Sequence, residues 1–112
     1  MESLLVWVVE RVAKFPREHR FTVGDRLIEV CVDVLSALVE ASFKRDKAAL
    51  LAAASRALVR ARVLARVARR LRLLTEAQQL HFVAESDEVG KMVGGWHRSV
   101  SARPAPRARG AG

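Results

Sequence analysis

The chain has 112 residues, 51% hydrophobic and 29% charged, and a formal net charge of +8. That length suits one domain with its own core, and the composition excludes a globally disordered chain. Its longest early apolar run, Leu4 to Val9, is far short of the ~20 residues of a membrane span, and it lacks the basic leader and cleavage site of a signal peptide.

Residues 2–14, ESLLVWVVERVAK, are dense in Val, Leu and Trp7. Their β-branched content allows a strand, but no partner strand is evident, and a helix is preferred. Phe15-Pro16 ends it, because the residue before proline is pushed out of the helical region. Residues 16–21 read as a polar connection. Thr22 then stands as an N-cap, with Asp25 in a capping-box-like position, and a second helix runs to about Phe43. Its polar residues Arg26, Glu29, Asp33, Ser36 and Glu40 collapse into one narrow stripe. The residues between them, including Leu27, Val30, Val32, Leu35 and Val39, are apolar. So wide an apolar arc exceeds what a surface helix of a lone bundle needs and implies a second contact surface, such as another subunit. Cys31, the single cysteine, lies in this apolar pattern and is expected to be a buried free thiol. A cytoplasmic protein is the expectation that fits it.

Lys44-Arg45-Asp46 breaks the pattern, with Asp46 as candidate N-cap. A third helix is expected from Lys47 to Leu74, roughly 40 Å long and the longest of four. Thr75 with Gln78 forms a capping box for a fourth helix to about Arg98. There Gly90, Gly94 and Gly95 either weaken the helix or admit a neighbouring backbone. Residues 99–112, with two prolines and a run of Arg, Ala and Gly, read as a disordered basic tail. Four helices with short links over residues 1–98 predict an all-α fold, an antiparallel four-helix bundle.

The charge is concentrated. From Lys44 to Leu74 there are ten Lys and Arg and one acid, Asp46, so the remaining residues carry a net −1. Within this segment Arg62, Arg66, Arg69 and Arg70 fall on one helical face at i, i+4, i+7, i+8 spacing. A near-neutral body with one strongly basic helix suggests a polyanionic partner. The competing reading is a solvated face, or ion pairs with Glu29, Asp33 and Glu40 of the second helix. Those three acids are too few for seven arginines plus Lys44, Arg45 and Lys47. With no aromatic platform near the stripe, contact with nucleic-acid backbone is expected rather than base reading. His19, His81 and His97 share no metal-ligand spacing with one another or with Cys31. No phosphate-binding loop occurs, and no catalytic constellation stands out, so neither enzyme activity nor a cofactor nor a metal is expected.

Two stretches carry a resemblance: FPREHRFTVGDRL at 15–27 and EVGKMVGGW at 88–96, with Arg45-Asp46-Lys47 and Leu71-Arg72-Leu73-Leu74 between them. From about Leu5 to Arg98 the chain resembles the accessory variability determinant proteins of diversity-generating retroelements. These sit in a wider four-helix-bundle family with the proteins encoded in 23S ribosomal RNA intervening sequences. The resemblance implies a barrel-shaped homopentamer with a basic surface that binds DNA and RNA with little sequence preference. It also implies association with the element's reverse transcriptase in the error-prone copying of a template repeat, without a catalytic role for the accessory protein. The positions matching the family's basic surface residues are Arg56, Arg60, Arg62, Arg66, Arg69 and Arg70. A scaffold of the same fold whose basic face docks an acidic protein is the alternative. The FTVGDR stretch also has a plain structural reading, in which Gly24 allows a tight approach.

Overall fold

The computed structural model describes residues 1–101. It forms four helices: α1 (Glu2–Val12), α2 (Asp25–Phe43), α3 (Ala48–Arg70) and α4 (Glu76–Ser101), with no strand among the described residues. The all-α expectation holds, as does helix over strand for the first segment. In α1 the residues Leu4, Val8 and Val12 recur every four positions and are buried, the stripe a helix turns toward its core. α3 is the central element. It packs along α2 on one side and α4 on the other, while α1 lies on α2 and touches α4 to close the bundle. Trp7 of α1 meets His81 of α4 with ring centroids 4.8 Å apart.

The buried face of α3 is mostly alanine: Ala54, Ala57, Ala61, Ala65 and Ala68, with Leu51 and Leu58. Small side chains bring the α3 backbone close to both neighbours, and the larger residues come from those neighbours. Phe82 and Val93 of α4 and Val34 of α2 are fully buried, each contributing about 1.5–3 kcal/mol by leaving water. Cys31 is a buried free thiol, and burial pushes its pKa up to about 12.

Several boundaries differ from expectation, each for a local reason. Residues 16–21 are not a plain connection. Pro16 is extended (ψ 148°) and a helical turn begins at once, Arg17–His19. It runs through a π-helical turn, Arg20–Gly24, directly into α2. Thr22 therefore sits inside a helical run and caps nothing. Its hydroxyl turns back to the carbonyls of Glu18 and His19, both at 3.4 Å. The tight approach expected at Gly24 is present. A Cβ there would lie 2.6 Å from Val12 Cγ1, so only glycine lets the π turn rest against the end of α1.

Asp46 is not the cap of α3, which begins at Ala48 after Lys47. Lys47 instead serves the preceding helix, donating from Nζ to the carbonyls of Ala41 at 2.6 Å and Lys44 at 3.0 Å, where a cation meets the negative helix end. α3 stops at Arg70 rather than Leu74. Arg72 takes a left-handed conformation (φ 64°), and the amides of Leu73 and Arg72 bond to the carbonyls of Ala68 at 2.8 Å and Arg69 at 3.0 Å, a Schellman ending. With 23 residues α3 is shorter than α4, which has 26. The Thr75–Gln78 capping box forms as expected. The Thr75 amide donates to Gln78 Oε1 at 2.9 Å, and the Gln78 amide to Thr75 Oγ1 at 3.1 Å. α4 continues through its glycines to Ser101. The basic tail expected at 99–112 lies, from residue 102 onward, outside the described residues.

Candidate nucleic-acid interface

The outward half of α3 interleaves two kinds of residue. Val59, Val63, Val67 and Leu71 recur every fourth position and remain 41–57% exposed. Between them stand Arg56, Arg60, Arg66 and Arg70, also exposed. A helix places residues four apart on one side, so the result is an apolar ridge flanked by guanidinium groups. One shallow depression on it is lined by Val63, Arg66, Val67, Arg70 and Leu71.

The stripe expected from spacing divides. Arg62 turns away from solvent and reaches across to α4. Its Nε donates to Ser86 Oγ at 3.2 Å and its Nη2 to the Ser86 carbonyl at 3.1 Å, and Nη2 lies 3.2 Å from Asp87 Oδ1. Ser86 is fully buried; its own hydroxyl donates to the Val83 carbonyl at 3.0 Å. Gly90 makes room for this clasp, since a Cβ there would sit 3.0 Å from Arg62 Nη2. The close neighbour anticipated at the α4 glycines is thus, at Gly90, a side chain and not a backbone. Arg69 is half-buried.

Of the acids on α2, only Asp33 meets an arginine of α3, with Arg60 at 3.8 Å. Both side chains are more than half exposed, so the pair contributes little, about 0–1 kcal/mol. Arg56, Arg66, Arg69 and Arg70 form no ion pair among the described residues.

The fold adds basic residues that the α3 pattern could not reveal. Asp33 beside Arg60, and Arg26 lining one groove with Val63 and Leu64, set α2 antiparallel to α3. The π turn touches α3 as well. Arg17, Arg26 and Arg72, all exposed, therefore gather at the same end of the bundle as Arg66 and Arg70. For Arg17 and Arg26 the signal lay only in the pairing of two helices, whereas Arg72 already belongs to the basic segment from Lys44 to Leu74. Arg20 belongs to this end too, but its Nη2 is spent on the carbonyls of Ala13 at 3.3 Å and Phe15 at 3.4 Å.

Other exposed apolar groups lie on α2, where Val32, Val39 and Phe43 share a face and Phe43 is 84% exposed. Among the described residues, no group of three His, Cys, Asp or Glu side chains could hold a metal ion, and no helix is long and apolar enough to cross a membrane.

Comparison with curated proteins and with solved structures finds no significant match. A protein-family model described as bAvd-like matches residues 1–100, a span that takes in all four helices to within one residue of the end of α4. By that match the chain belongs to the bAvd-like family, a family of accessory proteins.

Proposed function

We propose that this protein is a non-catalytic, nucleic-acid-binding accessory protein. It associates with the reverse transcriptase of a diversity-generating retroelement and supports template-RNA-dependent cDNA synthesis in mutagenic homing, in the cytoplasm. The observation that supports this reading best is the outer face of α3. There Arg56, Arg66 and Arg70 stand exposed with no carboxylate partner among the described residues, and membership of an accessory family agrees with it. Guanidinium groups suit phosphate oxygens through bidentate pairing, and such contacts hold RNA and DNA by their backbones without reading sequence.

The apolar surface supports the second half of the proposal. Val32, Val39 and Phe43 on α2, and the valine ridge on α3, are exposed in one protomer. Monomeric proteins seldom leave contiguous apolar patches of this kind uncovered. The working unit is therefore a homo-oligomer, a pentamer as in the family it resembles, with surface remaining for the transcriptase.

A gel shift with the purified protein and labelled RNA or DNA tests nucleic-acid binding. Binding that weakens steeply with salt supports it, while no shift at low salt sinks it and leaves the acidic-partner scaffold as the better account. Light scattering at micromolar concentration tests assembly, and a monomer there defeats the oligomer. Co-purification with a retroelement reverse transcriptase tests the partnership, and failure to co-purify defeats it.

A further inference from the structure

We infer that Phe21 is a stacking platform for an unpaired base, so that the nucleic acid held on this protein's basic face is single-stranded where it crosses the π turn. The inference rests on the nucleic-acid binding proposed above and specifies its ligand.

Phe21 is 65% exposed, whereas Phe15 and Phe82 are buried to 2% and 0%. The bundle thus takes phenylalanine into its core elsewhere and leaves this ring in water. It stands in the π-helical turn Arg20–Gly24, a rare local geometry that occurs frequently at functional sites. Three features hold the turn. Gly24 is wedged against Val12 and Phe15. The Thr22 hydroxyl bonds to the carbonyls behind it. Arg20 ties the turn to the carbonyls of Ala13 and Phe15. A ring on so constrained a backbone loses little freedom when a base lies on it.

The register of α2 against α3 supplies the charge. Arg26 shares a groove with Val63 and Leu64. Counting back along one antiparallel helix and forward along the other brings Phe21 level with residues about 68–69. Arg66 and Arg70, exposed and without an ion pair among the described residues, therefore stand at about the same level of the bundle, where they can hold the phosphates of a strand whose base lies on Phe21, with Arg17 one turn before it. An aromatic face beside a row of cations is the combination that binds single strands without sequence preference. A duplex keeps its bases paired and stacked and cannot use the ring. Phe43 is also exposed and precedes Lys44 and Arg45, but it ends an ordinary α-helix at the opposite end of α2, away from Arg66 and Arg70.

The test compares full-length protein and variants on an oligothymidylate of about 16 nucleotides, the upper end of a single-domain site, and on a duplex of the same length. Phe21→Ala is expected to weaken single-strand binding about tenfold while leaving duplex binding, the salt slope and the oligomeric mass unchanged. Phe21→Trp is expected to retain affinity and to add fluorescence quenching above that of Trp7 and Trp96. Met92→Ala, which trims an exposed apolar side chain of α4, is expected to match the parent on both ligands. Equal losses on both ligands, an equal loss in Met92→Ala, no loss in Phe21→Ala, or a change in oligomeric mass overturns the inference. Failure of the unaltered protein to bind either ligand would instead defeat the proposed function.

Discussion

Arg62 and Arg66 stand one helical turn apart on α3 and look alike in the sequence, yet the fold gives them different work. Arg66 projects from the outer face with no ion-pair partner among the described residues. Arg62 spans the seam to α4 and joins Ser86 and Asp87. A guanidinium bound to a buried hydroxyl, a carbonyl and a carboxylate has little left to offer a phosphate, whereas one in solvent keeps all five of its donors. The number of arginines on a helix therefore overstates the charge available to a partner. Which flank each one occupies, and what the neighbouring helix presents there, decides.

The largest effect that sharpens this contrast comes from reversing the outer charges. Arg56, Arg66, Arg69 and Arg70, replaced together by Glu, are expected to weaken RNA binding by about a hundredfold or more, about 2.7 kcal/mol. The dependence of log affinity on log salt should flatten by up to ~2.8, four phosphate contacts at ~0.7 each on a single strand. Circular dichroism should show unchanged helicity, since none of the four forms an ion pair among the described residues. Undiminished binding at low salt would move the interface off α3 altogether.

Arg62→Ala is expected to act the other way round. Losing charge-assisted bonds to Ser86 should destabilise the bundle by about 1.5–3 kcal/mol, and uncovering the side chain's stem adds to that. Urea denaturation should show the midpoint falling, while RNA affinity per folded molecule stays within about twofold, below 0.5 kcal/mol. A variant that keeps its stability but loses binding would place Arg62 back among the ligand contacts, with the α4 clasp as its resting position.

How much of this was legible depends on how local each signal is. The Thr75–Gln78 box could be read because both partners lie within one turn and the pair forms whenever a helix starts there. The amphipathic pattern of α2 revealed a buried Cys31 and an apolar arc too wide for one bundle, because burial follows helical period. Thr22 and Asp25 have the same local look as a cap, but Pro16 had already started the helix, and the π turn absorbed them. The clasp of Arg62 was invisible because Ser86 and Gly90 lie 24 and 28 residues further on, and only the pairing of α3 with α4 brings them together. Arg17 and Arg26 at the π-turn end were hidden for the same reason.

Arg72 shows a boundary that had no signal at all. Glycine is the usual residue at the left-handed position of a Schellman ending, and arginine there gave no reason to stop the helix. A side chain in that conformation costs roughly 1–2 kcal/mol, so Arg72→Gly is expected to raise stability by about 1 kcal/mol, measured as an upward shift in the urea midpoint. Arg72→Lys keeps the charge and the strain and should shift nothing. If Arg72 contacts RNA at the π-turn end, the glycine variant should gain stability and lose a modest part of its affinity, about one phosphate contact in the salt slope.

The smallest effect concerns Arg60, which lies between the two extremes. It has a partner, as Arg62 does, but the pair with Asp33 is 3.8 Å apart and more than half exposed at both ends. Solvent and salt screen such a pair, so a double-mutant cycle with Arg60→Ala and Asp33→Ala is expected to give a coupling below about 0.5 kcal/mol. Asp33→Ala should then strengthen RNA binding slightly, because it removes a carboxylate that competes with phosphate for the same guanidinium. A coupling above about 1 kcal/mol, with no gain in affinity from Asp33→Ala, would put Arg60 in the same class as Arg62 and narrow the free cationic face to Arg56, Arg66, Arg69 and Arg70.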